Sequence, residues 1–310
     1  QELTHVKTPW LVGTCLWPER FIRTAVLWLC RKVDKPILKL TYQDYIDNRL
    51  GQLLEATGQT YDMINIQVFN DLQHTISGWP GGKPNADDST RPERATPYPK
   101  RVLIFSPHPD DDVISMGGTF IRLIAQGHDV HVAYQTSGNI AVLDDIVLQT
   151  LDTARECGFV DRYNEVQEII NNKKKGEAEP IELRRLKGSI RRAEAKAACR
   201  QMGLTDPSHV HFLNLPFYET GGVKKGLLTD KDIQIVVDLL REIKPHQIYA
   251  AGDLSDPHGT HRVCIEAVLA AMEVVQDEEW VKECRLWLYR GAWQEWDLDM
   301  VDMAVPLSPD

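Results

Sequence analysis

The chain has 310 residues, with 35 basic against 45 acidic side chains and a formal charge of -10, a balance that excludes a general surface for nucleic acid or anionic membrane. The length suffices for one large domain or two smaller ones. No apolar run approaches a membrane span and no basic-then-apolar leader opens the chain, while cysteines at 15, 30, 157, 199, 264 and 284 lack CxxC spacing, so neither a zinc knuckle nor a redox pair is expected and the cytoplasm is the default location.

The first residues, Gln-Glu-Leu without a methionine, are expected from processing or from a piece of a longer polypeptide. Residues 1–78 read as a mixed, mainly helical extension, from segments such as "RFIRTAVLWLCRKV" and "YQDYIDNRLGQLLEAT". Its Trp10, Trp17, Trp28 and Phe69 stand near polar neighbours, so the region is expected to pack on something rather than fold alone. Residues 79–100, "WPGGKPNADDSTRPERATPYPK", hold no helical or strand period and read as a connector.

From 101 to 310 strands alternate with helices, the pattern of an α/β, Rossmann-like, mostly parallel sheet with helices on both faces. Strands are expected at 101–106, 129–136, 209–215, 246–252 and 284–290, and helices at 115–126, 144–157, 182–202, 230–243 and 261–275. The lysine-rich start of "NNKKKGEAEPIELRRLKGSIRR", from 171, reads as a solvated loop that turns into helix.

Two clusters carry chemistry, each just past the end of an expected strand, where ligands bind in open α/β sheets. The first is "SPHPDDD", 106–112, which sets three adjacent carboxylates beside His108. Such charges repel unless something positive holds them. Gly117 and Gly118 follow without GxGxxG spacing, so no dinucleotide is indicated. The second is "DLSDPHGTHRVC", 253–264, where His258 and His261 lie three apart at a helix start and are expected on one side of its first turn. Imidazoles and carboxylates together suit zinc, which keeps a position open for water and lowers its pKa to about 7. A carboxylate off the metal can then accept a proton, and a histidine off it can steady an oxyanion or protonate a leaving amine. Magnesium on an aspartate loop is the competing reading.

"SPHPDDD" with the later "HGTHR", and the linking "YQTSGN" and "RRAEAKAACRQMGL", resembles the PIG-L/LmbE family of zinc-dependent sugar N-deacetylases over about 100–290. The resemblance implies His108, Asp111 and His261 as metal ligands, Asp110 as general base and His258 as the histidine near the scissile amide. It further implies Arg191 as the sugar-contacting arginine and Ser137, Gly138 and Asn139 as a loop beside the substrate. Asp112 stands in place of the usual glutamate, Thr260 in place of an aspartate between the histidines, and "LPFYETGG" where many relatives read LPDG.

"THVKTPWLVG" and "GWPGGKPNADD" are similar to the joining region of bacterial proteins that fuse a glucosamine-6-phosphate deaminase ahead of an LmbE-like domain. The resemblance therefore implies a Zn2+ enzyme, with Fe2+ accepting the same donors. It would deacetylate an amino sugar or sugar phosphate such as N-acetylglucosamine 6-phosphate, beside a fused or associated deaminase, with no nucleic acid or membrane partner and with homo-oligomerisation left open. The alternative is a catalytically silent sugar-phosphate-binding or regulatory module.

Overall fold

The computed structural model describes residues 19–75 and 99–305, apart from 159–161, 175–176, 223, 292, 298–299 and 302. The connector expected at 79–100, save its last two residues, lies outside the described residues, as do "THVKTPWLVG", "GWPGGKPNADD", Trp10 and Trp17. The described residues fall into two compact units, one within 1–92 together with those from 296 onward, the other within 93–295.

In the first unit, α1 (Glu19–Val33), α2 (Tyr42–Asp47), α3 (Gly51–Thr57) and α4 (Tyr61–Thr75) follow one another. Ile22, Ala25, Val26 and Leu29 form the buried stripe of α1, spaced as one helix face requires. They pack with Leu40, Tyr45, Leu53, Ile64 and Val68 in one buried cluster. Inside it, Asn65 accepts from the Tyr45 hydroxyl at 2.7 Å and donates to the Leu40 carbonyl at 3.0 Å. Thr41 and Asp44 form a capping box at the start of α2, and Lys35 reaches the Asp44 carboxylate at 2.7 Å. Arg49, at φ 63, separates α2 from α3. Trp28 is 46% exposed.

The second unit is built on a five-stranded parallel sheet of β1 (Arg101–Ser106), β2 (Asp129–Tyr134), β3 (Val210–Phe212), β4 (Gln247–Ala251) and β5 (Arg285–Tyr289), in the order β3-β2-β1-β4-β5. The expected α/β class thus holds. Strands β1 and β4 are buried almost throughout because helices cover both faces, which is why they read as unbroken apolar runs. The short edge strand β3 is only half-buried. Between β1 and β4 the strand order reverses, and such a switch point opens a crevice at the carboxyl ends.

One expectation needs correction. The expected strand 209–215 stops at Phe212, because Asn214 takes φ 47 and turns the chain. The expected helix 115–126 is present as α6 (Gly117–Ala125), and a short α5 (Asp111–Ile114) that was not expected precedes it, beginning at the aspartates themselves. Helix α7 (Asp144–Glu156) is followed by an unanticipated α8 (Tyr163–Asn171), whose Val166 is buried with Val142, Val147 and Leu183. Helices α9 (Ile181–Met202), α10 (Asp230–Ile243) and α11 (Thr260–Val275) fall close to their expected bounds.

At the amino ends of β2 and β3 three imidazoles lie together. The ring of His131 stacks on His209 at 4.1 Å and on His211 at 5.3 Å. Burial and the two neighbouring rings hold the His131 imidazole down to about 4, against the opposing pull of Asp129.

Candidate active site

The three consecutive aspartates escape mutual repulsion by pointing three ways. Asp110 turns outward, where the Arg191 guanidinium of α9 donates to it at 2.7 Å. Asp112 turns into the core, accepting from the Tyr134 hydroxyl at 2.8 Å and from Ser106 Oγ at 3.2 Å. Burial pushes its carboxyl up to about 6, against the pull of those bonds. Asp112 therefore anchors the turn to β1 and β2, and it is not one of the residues clustered around Asp111.

Asp111 turns along the sheet edge, where one carboxylate oxygen lies 3.1 Å from His108 Nδ1 and 3.2 Å from His261 Nε2. The same oxygen accepts from the His108 backbone at 2.9 Å, which fixes the turn after β1. Burial works to raise the Asp111 carboxyl, but hydrogen bonds from His108 and His261, with their charges, outweigh it and hold the group below the carboxylate range. One donor atom from each of His108, Asp111 and His261 lies within 4.8 Å of the other two.

His261 is brought there by the turn after β4. Asp256 accepts from the backbone N–H of His258 at 2.8 Å and of His261 at 2.9 Å, and Gly259 takes φ 71 just before α11 begins. The left-handed Gly259 separates the two histidines, so the expectation of both rings on one side of a helical turn does not hold. His261 is buried at 2% exposure, whereas His258 is exposed and meets the edge of Trp293 at 5.8 Å.

Behind His261 stands Asp253, completely buried, 3.7 Å from His261 Nδ1 and without a well-formed hydrogen bond to either oxygen. His261 Nδ1 is likewise unpartnered. Burial works to lower the His261 imidazole, but Asp111, Asp256 and Asp253 raise it on balance. This donor set fits a divalent metal: two imidazoles and a carboxylate converge, and a carboxylate faces the outer nitrogen of one ring, the usual support of a metal-bound histidine.

The loop of Ser137, Gly138 and Asn139 lies over Pro109 and Arg191. Gly138 has φ 65, and a Cβ there would sit 2.8 Å from Pro109 Cδ and 3.2 Å from Arg191 Nε, so no other residue fits without displacement. Ser137 and Asn139 are buried, and their polar groups turn to Glu219. Its carboxylate accepts from the Ser137 backbone at 3.2 Å and from the Asn139 side chain at 3.1 Å. Glu219 belongs to "LPFYETGG", and an acid in a segment that departs from its relatives was the only signal for it. Two residues earlier, the Phe217 backbone donates to Asp232 at 2.9 Å, and Asp232 also completes the capping box of α10. Tyr218 meets the edge of His108 at 5.8 Å, and Lys225 Nζ sits 5.2 Å from the Tyr218 ring centre. Among the described residues no ion pair is formed by Lys225.

The sequence matches the GlcNAc-PI de-N-acetylase family, PIG-L, over residues 103–272. It is 53% identical over 320 residues to a putative glucosamine-6-phosphate deaminase-like protein of Bacteroides thetaiotaomicron, covering 99% of this chain and 48% of that protein. The chain thus spans about half the length of the curated relative it matches. Among solved structures, N,N'-diacetylchitobiose deacetylase from Pyrococcus horikoshii is 20% identical over 59% of this chain and 53% of its own, with a TM-score of 0.38. A conserved protein from Thermus thermophilus is 19% identical over 63% of this chain and 68% of its own, with a TM-score of 0.40. No described helix is long and apolar enough to cross a membrane.

Proposed function

Because the chain belongs to the PIG-L family of de-N-acetylases, we propose that it hydrolyses the N-acetyl amide of an amino sugar, with His108, Asp111 and His261 as the ligands of one zinc-type divalent ion. The observation that carries this reading is the meeting of those three side chains at the switch point between β1 and β4, with Asp253 behind one ring. A bound ion supplies Lewis acidity toward the amide carbonyl and toward water.

The chain's own residues do the rest. Asp110 takes a proton from the attacking water, and the hydrogen bond from Arg191 Nη2 holds its carboxylate at the mouth of the crevice. When the carbon–nitrogen bond breaks, that proton passes to the leaving amine, so water and amide become acetate and a free amino group. His258, at the exposed rim, is the remaining group able to steady the developing negative charge or serve the amine. Arg191 and the buried loop 137–139 form the wall against which the sugar rests.

For the substrate, an N-acetylated sugar phosphate is favoured by two features. Lys225 offers a cation over Tyr218, beside the candidate ligand His108. The relative of twice the length carries a deaminase-like name, and a deacetylase acting on N-acetylglucosamine 6-phosphate would supply glucosamine 6-phosphate to such a partner. Acetate release by the zinc- or cobalt-loaded chain, on N-acetylglucosamine 6-phosphate and on N-acetylglucosamine, tests the reading. Turnover of either sugar, abolished in Asp111→Asn, supports deacetylation. Ion uptake without turnover of any N-acetyl amino sugar would favour a silent binding module, the alternative that rests on Thr260 and Asp112.

A further inference from the structure

At the opposite end of the sheet from the crevice, roughly 16 Å away along β2, the imidazole cluster contains a second set of metal donors. Asp129 and His131 lie on one face of β2, two residues apart, and His209 stands beside them just ahead of β3. One donor atom from each lies within 4.8 Å of the other two. The same Asp129 oxygen is 3.4 Å from His131 Nε2 and 3.6 Å from His209 Nδ1. Both separations exceed an ordinary N–H···O bond. They match the ligand-to-ligand edge of a tetrahedron, about 3.4 Å for zinc with nitrogen and oxygen ligands near 2.1 Å.

The outer nitrogens have partners as well. His131 Nδ1 faces His211 Nε2 at 3.1 Å, and a proton on Nδ1 leaves the Nε2 lone pair aimed at Asp129. His209 Nδ1 lies 3.1 Å from the Val130 carbonyl, and its Nε2 lies 3.9 Å from Asp206. Coordination through Nδ1 would shift that ring's proton to Nε2, on the side of Asp206, whose carboxylate would have to move closer to accept it, and would give up the bond to Val130. Each ligand ring would then be oriented from behind, as supporting residues orient histidines in metal sites.

We propose that Asp129, His131 and His209 form a second binding site for a zinc-type divalent ion, oriented by His211 and Asp206, which clamps the three-residue edge strand β3 to β2. Two imidazoles and one carboxylate with a solvent-facing side suit zinc, nickel or copper over the oxygen-seeking magnesium and calcium. The site shares no residue with the crevice, so it stands whether or not the chain is a deacetylase.

The test is zinc stoichiometry of the full chain by elemental analysis in metal-buffered solution. The parent is expected to hold two ions, His108→Gln/His261→Gln one, His209→Gln one, and the triple variant none. In His108→Gln/His261→Gln, cobalt(II) should give the intense visible bands of a four-coordinate site, and zinc should raise Tm. Asp129→Asn should remove both effects, which provides a second route if His209→Gln does not fold. Two results would overturn the site: no uptake by His108→Gln/His261→Gln except at millimolar zinc, or uptake that neither His209→Gln nor Asp129→Asn diminishes.

Discussion

Two sets of two histidines and one aspartate occupy opposite ends of one sheet, and their surroundings separate them. At the carboxyl ends, Asp111 and His261 are buried and Asp253 stands behind them, 3.7 Å from the outer nitrogen of His261. Asp110, Arg191 and a loop held by Glu219 edge the same space. At the amino ends, Asp129, His131 and His209 are half-exposed, with the two rings stacked, and they lie away from the switch point between β1 and β4. The same donors thus suit reaction chemistry in one place and a structural clamp in the other. The lesson is that a ligand triplet specifies an ion, while a neighbouring proton acceptor and a substrate wall specify a reaction.

The contrast breaks most visibly if the proton acceptor is removed. Asp110→Asn is expected to keep its crevice ion and to lose roughly 10²- to 10⁴-fold in kcat; paired zinc analysis and acetate release check this, and loss of the ion with unchanged turnover per ion would remove Asp110 from the role. Next, His258→Ala should lower kcat by about a hundredfold at unchanged zinc content, and undiminished turnover would leave that histidine as a rim residue. Lys225→Met should raise KM for the 6-phosphate by roughly 10-fold or more, the scale of one charged hydrogen bond, with KM for the unphosphorylated sugar unmoved. Equal effects on both sugars would instead make Lys225 a support for Tyr218.

A smaller effect calibrates the pair from outside both clusters. The Lys35 ammonium, with the Thr41 hydroxyl and backbone, lowers the Asp44 carboxyl to about 2. A lowered carboxyl contributes stability that is present above the unfolded value, about 3.9, and is lost as pH falls through the folded one. Urea midpoints followed by Trp28 fluorescence, in a variant of the full chain whose other tryptophans are replaced by phenylalanine, should therefore fall between about pH 4 and pH 2. Asp44→Asn should flatten that part of the profile, and an unchanged slope would show that other carboxylates govern it.

Much of this was legible in the sequence because it depends on local order. The apolar run 101–106 and the polar residues after it located β1 and the crevice, and "HGTHR" located the start of α11. The separate fates of the aspartates were hidden, since only the fold shows that Tyr134 reaches Asp112 and Arg191 reaches Asp110. Glu219 escaped notice because its partners lie about 80 residues earlier in the chain. The second triplet escaped for a similar reason. His131 and His209 are separated by 78 positions, and only the parallel register of β2 with β3 makes them neighbours. The outward turn of His258 followed from the left-handed Gly259, which a spacing of three does not reveal.

Asp232 ties the start of α10 to the Phe217 backbone, and this bears on how the pocket can diversify. Replacing Asp232 would remove the cap of α10 and the anchor of the Phe217 backbone together, so the helix end and the wall depend on one side chain. The side chains of Lys224 and Leu227 carry no such double duty, Lys224 being held through its carbonyl by the Thr220 hydroxyl at 2.8 Å and Leu227 being 87% exposed, whereas Gly226 donates to the Phe217 carbonyl at 2.7 Å and Leu228 packs on the core. Directed evolution toward bulkier acyl groups or differently charged sugars should therefore begin with side chains 224, 225 and 227, and leave Phe217, Glu219, Gly226, Leu228 and Asp232 as the fixed frame.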